Sequence, residues 1–434
     1  MTAPIASSSV RELGPSTERE LKREIGQLGF AVLTLNGVIG GGLFALPAIA
    51  AVQAGVFSPW LFLLCAALFM SIVFCFARLA KWFSATGGPS VYVSASFGPW
   101  LGFQTGWLLW FGRITAMAAN ANLMVTYLAW LWPPASAPLA RALLITLAIG
   151  TLTLANVRGV RHGMWAVFAL TVLKLLPILL LLLTGISALS PAIFQLTTPL
   201  PSVTFGEGLL VLFYAFVGFE SGAINAGEGK VPERDIPRAL VRTVLLTALL
   251  YFWLQWLAVS VLPTLASSEQ PLAEVAAIVL GPWGASLIAL TAVVSIIGNL
   301  SSIMMAAPRM SYALARDGCL PAWFAAIHPR FATPAVSIAV VGGLSLLLAL
   351  SNSFVYLAVM STLVRLIGYA LCAASVLVQE RRQRALSFVG WLSPIIALTL
   401  CGLLMGFASG TAWAMVGIFV VVGSGFYWWA RRGL

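Results

Sequence analysis

Apolar stretches of about 20 residues, the length a helix needs to cross a lipid bilayer, recur from one end of this chain to the other. They fall at roughly 28–50, 59–80, 101–131, 139–156, 162–186, 206–228, 238–262, 276–306, 334–351, 353–379, 388–407 and 411–430. In lipid every backbone polar group must be satisfied inside the protein, and a helix does this segment by segment. The expectation is therefore an all-α polytopic membrane protein of about 12 transmembrane helices. Composition agrees, because 9 % charged residues against 60 % hydrophobic ones cannot cover a soluble domain of this size.

The charges that remain are distributed unevenly. The first 25 residues are polar, so no cleavable signal precedes the first span, and 1–27 reads as a cytosolic tail. With that tail inside, one side of the membrane holds Arg78 and Lys81, Arg158 and Arg161, Lys230, Arg234, Arg238 and Arg242, Arg309, Arg316 and Arg330, and Arg381, Arg382 and Arg384. Four tail cations and the terminal Arg431 and Arg432 join them, making twenty of 24. The other side holds Arg141 alone. This is the positive-inside asymmetry of a multi-pass plasma or inner membrane protein with both termini cytoplasmic. It accounts for the net charge of +11 without a nucleic-acid partner. The five cysteines show no paired spacing, and no metal or cofactor motif is present. Aromatic clusters at span ends, such as Trp130 with Trp132, read as interface belts.

Two spans contain breaks. The first carries GVIGGGLFALP (37–47) and the sixth AFVGFESGA (215–223). Glycine weakens helices, and interrupted segments five spans apart point to inverted repeats meeting at a binding site. Freed amides at Gly41, Gly42 and Leu43, at the start of the second half-helix, would face an anion. Freed carbonyls near Val38, Ile39, Tyr214 and Val217 would face an ammonium. Together these describe the backbone of an α-amino acid. The competing reading is close helix packing through small residues.

Arg113, Lys174 and Arg365 and the single deep carboxylate Glu220 lie within spans, where charge is expensive and marks function. Lys174 is about 18 Å by helical rise from either end of span 5, too far to snorkel. Arg113 either pairs with Glu220 or reads the substrate side chain; both make cationic substrates less suitable. Arg365 is expected to bond backbone carbonyls of a neighbouring helix. Ser295, Asn299 and Ser302 share one face of span 8, expected either to turn toward Lys174 or to serve as polar glue between helices.

With GVIGGGLFALP, FYAFVGFESGAINAGEGKVPERDIPRAL (213–240) and APRMSYALARDGCLP (307–321), the chain resembles the amino acid–polyamine–organocation (APC) transporter superfamily over about its first 385 residues. The resemblance implies two inverted five-helix repeats, about 28–200 and 201–385, forming a core over 28–385, with two additional helices over 386–434. It implies a substrate carboxylate at Gly41 and Gly42, beside Gly40, and an amine at the carbonyls of Val38, Tyr214 and Val217, beside Gly218. Tyr214 would act as a gate. Lys174 would take the place of a structural sodium ion between spans 1 and 8, serving either as a permanent clamp or, by reversible protonation, as the coupling group. The run 227–240 would be a short helix and turn whose acids pair with neighbouring cations and stabilise the inward gate.

The expected function is alternating-access, sodium-independent transport, as proton-coupled uptake of neutral or polar amino acids. The alternative is an amino acid exchanger, including one for acidic amino acids read by Arg113. A channel suits paired broken helices less well. An enzyme is not expected, since both histidines fall in or beside loops and no deep acid pair is present. No cofactor or metal is expected; a homodimer is left open.

Overall fold

A computed structural model describes residues 25–83, 87–159, 164–194, 207–351, 353–383 and 388–432. Most of the N-terminal tail, Arg161, His162, Arg384 and the expected boundaries near 200 and 385 fall outside them.

Helices account for every predicted span. The first is two helices, α1 (Gln27–Val38) and α2 (Gly42–Ala54). Then come α3 (Ser58–Trp82), the short α4 (Pro89–Phe97), α5 (Pro99–Leu131), α6 (Pro138–Val157) and α7 (Met164–Gly185). The sixth span is again divided, into α8 (Glu207–Phe213) and α9 (Ser221–Ile224). It is followed by α10 (Pro232–Val261), α11 (Pro271–Leu280), α12 (Pro282–Arg316), α13 (Ala335–Ser351), α14 (Phe354–Gln383), α15 (Phe388–Met405) and α16 (Gly410–Arg432). No strand occurs among the described residues; one isolated bridge joins Ile25 to Gly229.

The structure corrects two expectations. The span predicted to start at 276 starts at Pro282, because Gly281 takes φ +79° and ends α11 before it. The PERDIPRAL run is no separate short helix but the first turns of α10. There Glu233 and Asp235 sit at the positive end of the helix dipole. Glu228, Glu233 and Asp235 form no ion pair among the described residues.

One unit occurs twice. A short helix, a left-handed glycine, then Pro-Trp and a very long helix are found at α4–Gly98–α5 and again at α11–Gly281–α12. Gly98 has φ 96° and ψ 170°, and Gly281 φ 79° and ψ −174°, a conformation closed to L side chains. The two units lead into the third and the eighth of the predicted spans. Trp100 and Trp283 are exposed there as interface anchors.

At 33 and 35 residues, α5 and α12 reach about 50 Å, well beyond a hydrocarbon core of about 30 Å. Nearly every side chain of α5 between Gly102 and Val125 is buried, which makes it the axis of the bundle. The periphery is lipid-facing: α6 exposes Leu139, Leu143, Leu147 and Leu154. Such a row of leucines marks a surface covered by lipid or by another protein chain.

Candidate substrate site

The first break is an interruption of the helical hydrogen-bond pattern over the three residues between Val38 and Gly42. Ile39 leaves the helix at φ −81°, ψ 80°, and α2 restarts after Gly41. The Val38 carbonyl accepts from the Gly40 amide at 3.0 Å, and the Gly41 carbonyl accepts from Phe44 at 3.0 Å. The amides of Gly41, Gly42 and Leu43 donate to no backbone carbonyl among the described residues. Lys174, from α7, supplies the missing positive group at the opposite pole: Nζ donates to the Ile39 carbonyl and to Asn36 Oδ1, both at 2.8 Å. One carbonyl at the break is thus held by this ammonium.

The second break starts with a single 3-10 turn, Tyr214–Phe216, after which Val217 is extended and Gly218 takes φ +102°. The sign matters, since only glycine holds that dihedral without strain. The two breaks touch at their glycines. A methyl added at Gly37 would collide with the Gly218 carbonyl, and one at Gly218 with the Gly37 carbonyl. Close packing and helix interruption are therefore both realised, by different glycines of one motif.

Glu220 caps this second break from behind. Its Oε2 accepts from the Gly218 amide at 3.0 Å and from Tyr369 Oη at 2.8 Å, while Oε1 meets Arg365 Nε at 3.3 Å. Arg365 Nη1 continues to the Gly112 carbonyl of α5 at 2.9 Å and to Ser361. The carboxylate and both phenol and guanidinium partners are buried. The expected Arg113–Glu220 pair is not formed; Arg365 takes the acid. The reason is directional, because α14 presents Arg365 and Tyr369 four residues apart on one face, so that both reach Glu220 together. Among the described residues Arg113 donates only to Ser221 Oγ, at 3.4 Å, and its Nε is buried without a partner.

A polar bridge ties the breaks across the bundle. Asn299 of α12 donates to the Asn36 carbonyl at 3.2 Å and accepts from Asn120 of α5 at 2.8 Å; Asn120 Oδ1 accepts from Tyr214 Oη at 3.3 Å. Asn36 Nδ2 donates to Ser302 Oγ at 3.0 Å. The face of α12 expected to meet Lys174 therefore reaches it through Asn36, and Ser295 Oγ is buried without a partner.

Between these walls lies a cavity of about 140 Å³. Of the residues singled out from the sequence, Val38, Gly40, Gly42, Tyr214, Val217, Gly218, Arg113 and Arg365 line it. Gly41 instead backs onto Asn120 and Leu123, and Lys174 and Glu220 act from behind the breaks. Tyr214 is nearly buried, its ring edge against Gly42 and T-shaped to Phe354. Asn36, Ser221, Asn225 and Tyr369 have roles the sequence reading did not give them. Asn36 carried a signal, being a lone amide one residue before the glycine motif.

The profile of the family described as amino acid permease matches residues 25–429. Uncharacterized transporters of Mycobacterium tuberculosis and Mycobacterium bovis are 29 % identical over 411 residues, 92 % of this chain and 90 % of theirs. The serine/threonine exchanger of Bacillus subtilis is 26 % identical over 423 residues, 93 % of this chain and 95 % of the exchanger.

Proposed function

The chain belongs to the amino acid permease family, and from that premise we propose that it carries small neutral or polar amino acids across the plasma membrane by alternating access, without sodium. The observation that carries this reading is the meeting of two helix breaks at one cavity. Amides at Gly42 and Leu43 that bond no backbone carbonyl, at the positive end of α2, suit a carboxylate. The carbonyls of Val38, Tyr214 and Gly218 each accept a backbone amide, from Gly40, Val217 and Ser221. That leaves the Val217 carbonyl, with no backbone donor among the described residues, to suit an ammonium. The volume of about 140 Å³ fits this class. A protein cavity of about 150 Å³ takes a benzene-sized molecule, which is the scale of the smallest polar amino acids. Arg113, on the wall with an unpartnered Nε, reads a side chain able to accept a hydrogen bond and repels cationic ones. Tyr214 closes the cavity from the span 6 side.

Sodium independence rests on Lys174, whose ammonium already supplies a cation to the Ile39 carbonyl and Asn36. Two coupling modes follow from different observations. Lys174 is the ionisable group joined directly to the first break, which supports proton-coupled uptake. A relative named a serine/threonine exchanger supports exchange. Proteoliposomes containing the purified protein separate the two. Uptake of labelled serine driven by an inward proton gradient into empty vesicles establishes symport. Uptake only into vesicles preloaded with unlabelled amino acid establishes exchange. No uptake of serine, threonine or alanine in either arrangement, or a strict requirement for sodium, overturns the proposal.

A further inference from the structure

A second, larger cavity of about 830 Å³ opens away from the substrate site, at the basic end of the bundle. Its walls are the last turns of α3, the first turns of α10 and the start of α15. Five cations line it, Arg78, Lys81, Arg234, Arg238 and Arg242, against the single carboxylate Glu233. Arg78 is already matched, by an ion pair with the buried Glu380 and a 2.7 Å bond to the Gly390 carbonyl. The other four are exposed and form no ion pair among the described residues.

On α10 the arginines recur every fourth residue, so they stack on one face, where like charges repel and weaken the helix. An anion seated between them and Lys81 turns that cost into attraction. The same face of α10 does not end at Arg242. Three and seven residues further on come Leu245 and Leu249, about half exposed, and Phe74 of α3 lies exposed one turn before Arg78. A charged seat that runs directly into a lipid-facing apolar stripe fits an amphiphile; a soluble ion has no use for the stripe.

We propose that this cavity binds the phosphate headgroup of an anionic phospholipid, with its acyl chains along the exposed face of α10. The site lies in the leaflet where anionic lipid and basic protein surface coincide, given the orientation that charge asymmetry predicts. It is independent of the amino acid carried.

The test uses the full-length purified protein in detergent, titrated with phosphatidylglycerol, phosphatidylcholine or inorganic phosphate. Bound lipid is counted by native mass spectrometry and affinity is read from the shift in thermal unfolding. Phosphatidylglycerol is expected to bind and stabilise, phosphatidylcholine to bind at least tenfold more weakly. Each cation near a charged headgroup contributes about a fivefold factor. The single variants Arg242→Gln and Lys81→Gln are therefore each expected to weaken binding about fivefold. The triple variant Arg234→Gln/Arg238→Gln/Arg242→Gln is expected to weaken it about a hundredfold. Arg316→Gln/Arg330→Gln, which removes the same sign of charge from the same end outside the cavity, is expected to leave it within twofold. The singles decide the matter if the triple variant fails to fold. Unchanged affinity in the singles, equal loss in the control, or equal binding of phosphatidylcholine overturns the proposal. A full stabilising shift from inorganic phosphate alone assigns the cavity to a soluble anion and overturns its lipid identity.

Discussion

Arg113, Lys174, Arg365 and Glu220 lie within the apolar spans, and they meet the cost of being there in three different ways. Arg365 and Glu220 neutralise each other and are further bonded to Tyr369, Ser361 and the Gly112 carbonyl. Removing one member of such a buried pair leaves the other uncompensated, at about 3–5 kcal/mol. Glu220→Gln is therefore expected to lower the unfolding midpoint in detergent sharply. Tyr369→Phe loses one bond to a charged group, about 1.5–3 kcal/mol, and falls between Glu220→Gln and the native protein in the same measurement. Lys174 is solvated by the broken backbone itself. Replacing sodium by choline is expected to leave native uptake unchanged. Lys174→Met strands the Ile39 carbonyl and the Asn36 amide oxygen, and both transport and stability should fall. Arg113 is the one whose guanidinium is incompletely bonded within the protein. Arg113→Ala is expected to keep the fold and change the ranking of substrates in a competition assay, with cationic amino acids gaining most. An unchanged ranking removes Arg113 from substrate reading.

At the scale of elements, two half-helices meet glycine to glycine, and the spacing leaves no room for a methyl group. Gly218→Ala adds strain of about 1–3 kcal/mol from its positive φ and a clash with the Gly37 carbonyl. Loss of transport with intact membrane insertion is the expected result. Gly150→Ala, in a lipid-facing helix with open space around it, should transport as the native protein does. The glycine motifs were legible as breaks because four glycines in six residues have no place in an uninterrupted span. The choice of partner for Glu220 was not legible, since Arg113 and Arg365 are equivalent until the rotation of α14 about its axis is known. The short helices α4 and α11 were missed for a simpler reason: at 9 and 10 residues they are too short for a hydropathy argument, and the Gly-Pro-Trp junctions that end them are weak alone. Only the recurrence of the same dihedrals before the two longest helices gives those tripeptides meaning.

Over the whole molecule, charge asymmetry predicts an orientation with both termini cytoplasmic, and burial fixes which helices form the core. In a Cys319→Ser background, whose remaining cysteines are buried, Arg330→Cys is expected to react with a membrane-impermeant maleimide only from the cytoplasmic side. Trp132→Cys should react only from the other. The reverse pattern would invert the topology and with it the leaflet of the basic cavity. The long helices α5, buried along its middle, and α12 give both breaks a common scaffold, so that Asn120 and Asn299 can bridge them.

The spans, the two breaks and the identity of the charges within the spans were set by the sequence alone, and cation placement predicts the orientation. Hydrophobic length, cation placement and glycine content act locally and need no partner to be read. Which charge pairs with which, that Lys174 reaches the first break beside Asn36, and that the cavity is small were decided by tertiary structure. Each depends on how far one helix is turned against another, and a shift of one residue in that register would send the same side chains into lipid.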